Sequence, residues 1–259
     1  FVKRSKKPVY FVHHTLEIPE LALPGGISGF VRSKMEALFG GATIARAAGV
    51  IGVTKEIVDY ELGRAACSIK SSYVYPNGII VKKSNLDDLR SLDLPELLFV
   101  ANFSPWHGLD ILLKRVAKSK EEFVLHLVGE IPQNILPLIT DSRIKVHGPL
   151  NQQKIRKLSA QCWVGLASFA LFRKKMTQAC TLKTREYLML GLPVYGDHQD
   201  VFPDNAPYFF CGKGSIEEII QFCRKTRVFD KNKIAHLAET KINKASLLNE
   251  LYMKLYCMV

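Results

Sequence analysis

Between residues 96 and 226 the sequence keeps breaking off short apolar runs and starting helical patterns, and that alternation restricts the fold more than any other feature. "ELLFVAN", "EFVLHLVGE" (122–130), "RIKVHGP" (143–149), "CWVGLASF" and "LPVYGD" have strand length. Helical stretches follow them at 108–119, 132–140, "NQQKIRKLSAQ", "LKTREYLML" (182–190) and "SIEEIIQFCRKT". Strands apolar on both faces, alternating with amphipathic helices, predict an α/β protein with a parallel sheet covered by helices. A shorter version precedes it: a strand at 8–14, a Gly/Pro-rich turn, a helix at 28–47, a strand at 49–54, the helix "KEIVDYELGR", and a strand at 71–79 closed by Pro-Asn-Gly. The expected organisation is a partial N-terminal unit over 1–82, a polar linker at 83–95, a complete unit over 96–245 and a C-terminal helix over 246–259.

Composition narrows the partners. The 259 residues are 47% apolar and 23% charged, the balance of a globular chain, and no apolar run approaches the ~18–20 residues of a membrane span. The opening "FVKRSKKPVYF" lacks a signal-peptide pattern, so a cytoplasmic location is expected. The six cysteines, at 67, 162, 180, 211, 223 and 257, show no zinc or disulfide spacing and are expected to be reduced thiols. A net charge of +12 suits anionic partners such as phosphorylated substrates or an anionic membrane face, or is simply a solvated surface. Nucleic acid ranks last, because no stacking-aromatic or groove-helix pattern accompanies the charge. Walker, Rossmann-fingerprint, Ser/His/Asp and metal-ligand spacings are all missing, and "GGISG" at 25–29 reads as a turn.

In open parallel sheets ligands bind beyond the carboxyl ends of the strands. "LLFVANFSPWHGLDILLKRV" (97–116) is such a place, where a strand ends in a short polar turn and a helix starts at once. Gly108 permits close backbone approach, and the first helical turn offers amides to an anion. The turn is therefore a candidate phosphate site, with an ordinary strand-to-helix connection as the alternative.

Three stretches in order go further: "YPNGI" (75–79), "LLFVANFSPWHGLDILL", and "LKTREYLMLGLPVYGD" (182–197). Together with "LHLVGE" and with "RIKVHGPL" followed by "QQKIRKLSAQCWVGLASF", they resemble the group 1 retaining glycosyltransferases of the GT-B fold. "PVYFVHHT" and "KMEALFGGATIARAAGVIGVTKEI" are similar to the second half of that family's acceptor domain, whose glycine-rich first strand is missing here. The resemblance implies two Rossmann-like units, a complete donor domain beside an N-terminally incomplete acceptor domain. It also implies transfer of a sugar, with retention, from a UDP- or GDP-sugar to a lipid-linked or polysaccharide acceptor. Bacterial cell-surface polysaccharide synthesis, peripheral to the inner membrane face, would be the setting. No metal or other cofactor is implied. The alternative is a truncated or degenerate nucleotide-sugar-binding protein without turnover.

The same resemblance assigns roles. Glu186 would bind the donor ribose and, with His14 opposite, form the catalytic pair, while Lys183, three residues before Glu186, would hold phosphate. A surface ion pair is the other possibility for Lys183 and Glu186. The diphosphate would meet Asn102, Ser104, His107 and Gly108, with Arg173 and Lys174 approaching from a basic loop. Gly129, Glu130 and His147 would lie near the nucleoside. Three positions depart from the family pattern: Asn102 and His107 stand where Arg and Lys are usual, and Gln178 where a first glutamate is usual. His107 would supply charge only if protonated, a form that a bound diphosphate favours. His13 points to the opposite face of the strand from His14.

Overall fold

The computed structural model describes residues 6–23, 25–65, 71–81 and 85–256. Part of the expected linker (83–84) and Cys67 and Cys257 lie outside them, and the other four cysteines are free thiols. The first unit is a parallel sheet of β1 (Tyr10–His13), β2 (Gly49–Gly52) and β3 (Ser71–Val74), in that order. Its helices are α1 (Glu17–Ala22), α2 (Gly26–Ala45) and α3 (Lys55–Arg64). Thr54 caps α3 by accepting from the Ile57 amide.

The second unit holds β4 (Glu96–Val100), α4 (Leu109–Val116), β5 (Val124–Val128), β6 (Ile144–Val146), α5 (Gln152–Gln161) and β7 (Val164–Leu166). It continues with α6 (Leu182–Met189), β8 (Val194–Gly196), β9 (Phe209–Cys211), α7 (Ile216–Thr226), α8 (Lys231–Ile242) and α9 (Lys244–Tyr256). The six strands are parallel in the order β6-β5-β4-β7-β8-β9. Strand order reverses between β4 and β7, so the connections after these two strands leave in opposite directions and open a crevice. Leu97, Phe99, Leu125 and Leu127 meet α4 and α7 on one face, while Leu98, Val100 and Val128 meet α6 and α8 on the other. Apolar side chains on both faces of one strand explain its unbroken hydrophobic run.

Several elements differ from the sequence expectation. The stretch taken as a Gly/Pro-rich turn contains α1, because Pro19 falls in the first helical turn, where a missing N–H costs nothing. "GGISG" likewise feeds α2 from Gly26. Of the helix expected at 132–140 only one 3-10 turn forms, Leu136–Leu138, around Pro137. Two elements have no counterpart in the sequence reading, β9 and α8. The contacts that bury α8, through Ile234, Ala238 and Ile242, are tertiary.

The chain crosses between the units twice, side by side. The Ile79 amide donates to the Ile242 carbonyl at 2.8 Å and the Lys244 amide to the Ile79 carbonyl at 2.9 Å. Beyond that crossing α9 returns to the first unit, packing Leu251 and Leu255 on Ile51 and Tyr73. The Pro-Asn-Gly turn is held where it crosses: Asn77 Nδ2 donates to the Cys180 carbonyl at 2.6 Å, and Arg185 Nε to the Asn77 carbonyl at 3.0 Å. Arg185 then meets Asp200 through two bonds of 2.5 and 2.6 Å, with both side chains fully enclosed.

A buried pair of this kind is costly to break from one side, since the remaining charge keeps its desolvation penalty. Asp200→Ala is expected to lower the unfolding free energy by about 3–5 kcal/mol, measured by denaturant titration. A loss below about 1 kcal/mol, the range of exposed pairs, would contradict this role.

Candidate functional site

The turn after β4 is shaped by two glycines. Gly129, at φ +122°, lies so close to β4 that a side chain there would strike the Ala101 carbonyl. Gly108, at φ +70°, ends the 3-10 turn Pro105–His107 and starts α4, and a Cβ on it would sit 2.7 Å from the Phe169 carbonyl carbon. Its smallness therefore serves packing against the segment after β7. That segment closes on the turn: the Phe169 amide donates to the His107 carbonyl at 2.9 Å, and Ser168 Oγ to the Trp106 carbonyl at 2.6 Å.

Most donors of the turn are already used. The Ser104 amide donates to His107 Nδ1 at 2.9 Å, the His107 amide to the Ser104 carbonyl, and the Phe103 amide to the Glu130 carbonyl. Asp110 in the first turn of α4 takes the Arg173 guanidinium, and the Ile111 amide donates to the Gly108 carbonyl at 3.0 Å. The expected row of free amides is thus reduced, and the imidazole becomes the principal donor. Because Nδ1 accepts, the ring proton sits on Nε2. His107 stacks on Trp106 with centroids 3.7 Å apart and meets Phe99 and Phe103 edge-on. Burial, reinforced by Lys174, pushes its pKa down to about 4. At neutral pH the ligand-free imidazole is a neutral, fixed donor, not the cation that replacement of a lysine suggested.

Of the two basic residues expected at the diphosphate, Arg173 has a different partner. Its guanidinium clamps Asp110 at 2.9 and 2.8 Å and the Pro105 carbonyl at 2.6 Å, so it braces the turn with its charge matched. Lys174 stays beside His107. Its ammonium lies 5.0 Å over the Trp106 ring and 2.5 Å from Glu20 of α1, bridging the two units. Asn102 and Ser104 are exposed on the same turn. A cavity of about 250 Å³ opens beside them, lined by Ser104, Asp110, Asn134 and Arg173 among others.

Lys183 and Glu186 lie in the first turns of α6, the helix reached from β7 across the crevice, and they bond each other at 2.5 Å while both remain partly exposed. Thr181 caps this helix by accepting from the Thr184 amide. Tyr187 fixes its position, since the Val100 amide at the end of β4 donates to Tyr187 Oη at 2.6 Å. One buried hydroxyl therefore ties the helix carrying Glu186 to the strand leading into the His107 turn. The sequence reading passed over Tyr187 and Ser168. A tyrosine directly after the glutamate, on the buried side of an amphipathic helix, was the available signal for the first.

Gln178 has a definite task. Its side-chain carbonyl accepts from the Glu56 amide at 3.1 Å, while the Glu56 carboxylate accepts from the Thr177 amide at 3.0 Å and the Gln178 amide at 2.8 Å. This reciprocal latch joins α3 of the first unit to the loop before α6. A glutamate at 178 would set a second carboxylate against Glu56.

On the first unit, His14 is exposed at the end of β1, and the next residue, Thr15, reaches Met176 of the second unit. His13 is buried beside Glu17 at 3.4 Å. Gly129 and Glu130 sit at the carboxyl end of β5, against the turn. His147, expected near the nucleoside, bonds His126 Nδ1 at 2.9 Å, and His126 Nε2 bonds Glu96 at 2.7 Å. Glu96, His126 and Cys162 are the one group of metal-ligating side chains found among the described residues, with ligand atoms within 4.8 Å of one another. It lies toward the amino end of β4, away from the crevice. Asp197 and His198, after β8, were also missed; Asp197 Oδ1 and His198 Nδ1 face each other at 3.6 Å, and neither they nor His198 Nε2, all buried, make a hydrogen bond. Such atoms call for water or a ligand.

Comparison with known proteins bears on the fold. Residues 94–204 match the family profile described as "Glycosyl transferases group 1". Among solved structures, the chain is similar to the lipopolysaccharide outer core galactosyltransferase WaaB in its apo form, with 13% identity over 83% of this chain and 64% of that one and a TM-score of 0.63. Sucrose-phosphate synthase from Thermosynechococcus elongatus gives 16% identity over 99% and 70% of the two chains, with a TM-score of 0.66. HepE from Anabaena, in complex with UDP and glucose, gives 17% identity over 97% and 72%, with a TM-score of 0.64. The chain spans 64–72% of the length of these structures. At such identities the likeness is one of fold. No curated protein sequence matches. Residues 94–204 are thus similar to the group 1 glycosyltransferases, and the chain has the GT-B fold.

Proposed function

We propose that the chain transfers a sugar, with retention, from a nucleotide diphosphate donor to a lipid-linked or polysaccharide acceptor in bacterial cell-surface synthesis. The observation that carries this reading is the arrangement at the switch-point crevice. A neutral imidazole donor stands on the turn after β4, a lysine from the segment after β7 lies over the neighbouring Trp106, and a lysine–glutamate pair opens the helix that Tyr187 ties to β4. HepE, described with UDP-glucose, supports a uridine donor.

The ligand-free pairing suggests how the donor is taken up. A ribose diol offers two hydroxyl donors to the Glu186 carboxylate and so competes with Lys183. The displaced ammonium is then available to the diphosphate, where negative charge accumulates as the glycosidic bond breaks. His107 Nε2–H and Lys174 add to that stabilisation from the other wall. His14, exposed just after β1, is the residue this reading gives to the sugar or the attacking hydroxyl.

Calorimetry with UDP, GDP and their sugar nucleotides tests the donor site. Saturable binding of UDP is expected, and Glu186→Ala should weaken it by roughly 10-fold to 100-fold, the worth of charge-assisted hydrogen bonds. Unchanged affinity in the variant would remove Glu186 from the site. Donor binding with no hydrolysis or transfer would give the non-catalytic alternative instead.

The low pKa of His107 also fixes a pH dependence. Its folded-state value of about 4 lies below the ordinary histidine value of 6.5, so the unfolded chain takes up a proton in this window that the folded chain refuses. This contribution to stability is therefore lost as pH falls from about 6.5 toward 4. His107→Phe is expected to flatten that loss in denaturant titrations across the range. An equally steep loss in the variant would show that His107 is not held neutral.

A further inference from the structure

The face of the second sheet that meets α6 and α8 is apolar except at its amino end. There His126 of β5 lies in register with Leu98 of β4, and Glu96, two residues before Leu98, is on the same face. Cys162, between α5 and β7, belongs to the same layer. His126 and Cys162 are buried, while the Glu96 side chain is 18% exposed at the rim. An imidazole, a thiol and a carboxylate from three separate segments thus bring ligand atoms within 4.8 Å of one another. Polar groups in an apolar layer are costly unless matched, so their convergence there needs a reason.

The hydrogen bonds around the cluster have the pattern of a metal ligand set with its outer partners. His126 directs Nε2 at Glu96, 2.7 Å away, and Nδ1 at His147 Nε2, 2.9 Å away. A histidine that ligates through Nε2 needs an acceptor for its Nδ1–H, and His147 stands where that acceptor belongs. Two ligands of a tetrahedral zinc ion lie about 3.3 Å apart, so Glu96 has to withdraw by about half an ångström, which its place at the rim allows. The Cys162 thiol donates to the Leu158 carbonyl at 3.3 Å, and burial pushes its pKa up, so it ionises only against a cation beside it. Lys231 donates to the Cys162 carbonyl at 2.9 Å. Burial pushes the pKa of Lys231 down to about 7, so near neutral pH it sheds its proton readily when a cation arrives.

We infer that Glu96, His126 and Cys162 form a binding site for one divalent, thiolate-preferring metal ion, zinc by its ligand chemistry. The ion clamps β4, β5 and the junction of α5 with β7 together, at the end of the sheet away from the crevice. Thiolate and imidazole ligands select zinc over magnesium or calcium. Binding replaces the Cys162 S–H bond by an S–metal bond and releases that proton to solvent. The His126 proton moves from Nε2 to Nδ1, and His147 carries its own on Nδ1, so neither ring changes charge. One carboxylate and one thiolate then balance the two charges of the ion, and water takes the fourth position at the rim. The role is structural and does not rest on the transfer reading above.

The test is a cobalt(II) titration of the whole chain, first stripped by chelator and kept reduced with a phosphine, followed by absorption. One equivalent is expected to give the intense visible bands of a tetrahedral ion and a thiolate-to-cobalt charge-transfer band, and zinc should bleach both. Cys162→Ala should abolish the charge-transfer band, whereas Cys211→Ser, which removes an exposed thiol, should leave it intact. Glu96→Gln should weaken cobalt binding by at least the roughly 10-fold that loss of an outer partner costs. Zinc at a hundredfold excess over its Kd should raise the melting temperature of the parent by roughly 5–10 °C and leave that of Cys162→Ala unmoved. No thiolate band in the parent, its persistence in Cys162→Ala, its loss in Cys211→Ser, or a melting temperature indifferent to zinc would each overturn the inference. Should Cys162→Ala fail to fold, unaltered cobalt affinity in Glu96→Gln overturns it equally. No nucleotide is present, so the outcome is independent of the donor titration.

Discussion

The geometry of the site depends on one hydrogen bond at the point where the strand order reverses. β4 and β7 run side by side, but their connections depart in opposite directions, and such connections drift apart unless something fixes them. The Val100 amide donating to Tyr187 Oη at 2.6 Å supplies that tie. It sets the helix bearing Lys183 and Glu186 against the strand that runs into the His107 turn. The hydroxyl is wholly buried, and burial pushes its pKa upward, so it remains a neutral acceptor for that amide. Without it the amide would be enclosed and unpaired, at a cost of about 1–3 kcal/mol.

Around this tie the departures from the family pattern form a consistent set. A lysine replaced by histidine would be a plain loss if the imidazole had to be charged. Here Ser104 fixes the tautomer, Trp106 fixes the plane, and burial keeps the ring neutral, so that it presents a single directed N–H. The charge missing from the turn stands one layer away on Lys174, held by Glu20. Gln178, where a carboxylate is usual, is engaged by Glu56 in a latch between the units. At His107 and Gln178 a formal charge is thus exchanged for a positioned dipole.

The fold was largely legible from the sequence because buried parallel strands announce themselves as short apolar runs. The runs at β4, β5 and β7 are unmistakable for that reason. Elements recognisable only through their neighbours were not legible. α8 is held by contacts with distant segments, and α1 carries a proline in a helical position that local statistics disfavour. The site followed the same division. Glu186, Lys183 and the turn at 102–108 could be picked out because they sit in ordered motifs. Arg173 could not be placed, since nothing in "LFRKK" reveals that Asp110, 63 positions earlier, would take its guanidinium. Tyr187 and Ser168 act through backbone groups of other strands, and a sequence does not display such partners.

The most direct test of the central claim, that the switch-point crevice holds a nucleotide diphosphate, is a crystal structure of the chain with UDP. The account predicts the ribose on Glu186, with Lys183 released from it toward the diphosphate, and a phosphate oxygen within hydrogen-bond distance of His107 Nε2. UDP bound elsewhere, or in the crevice with the Lys183–Glu186 pair intact and His107 untouched, would contradict it.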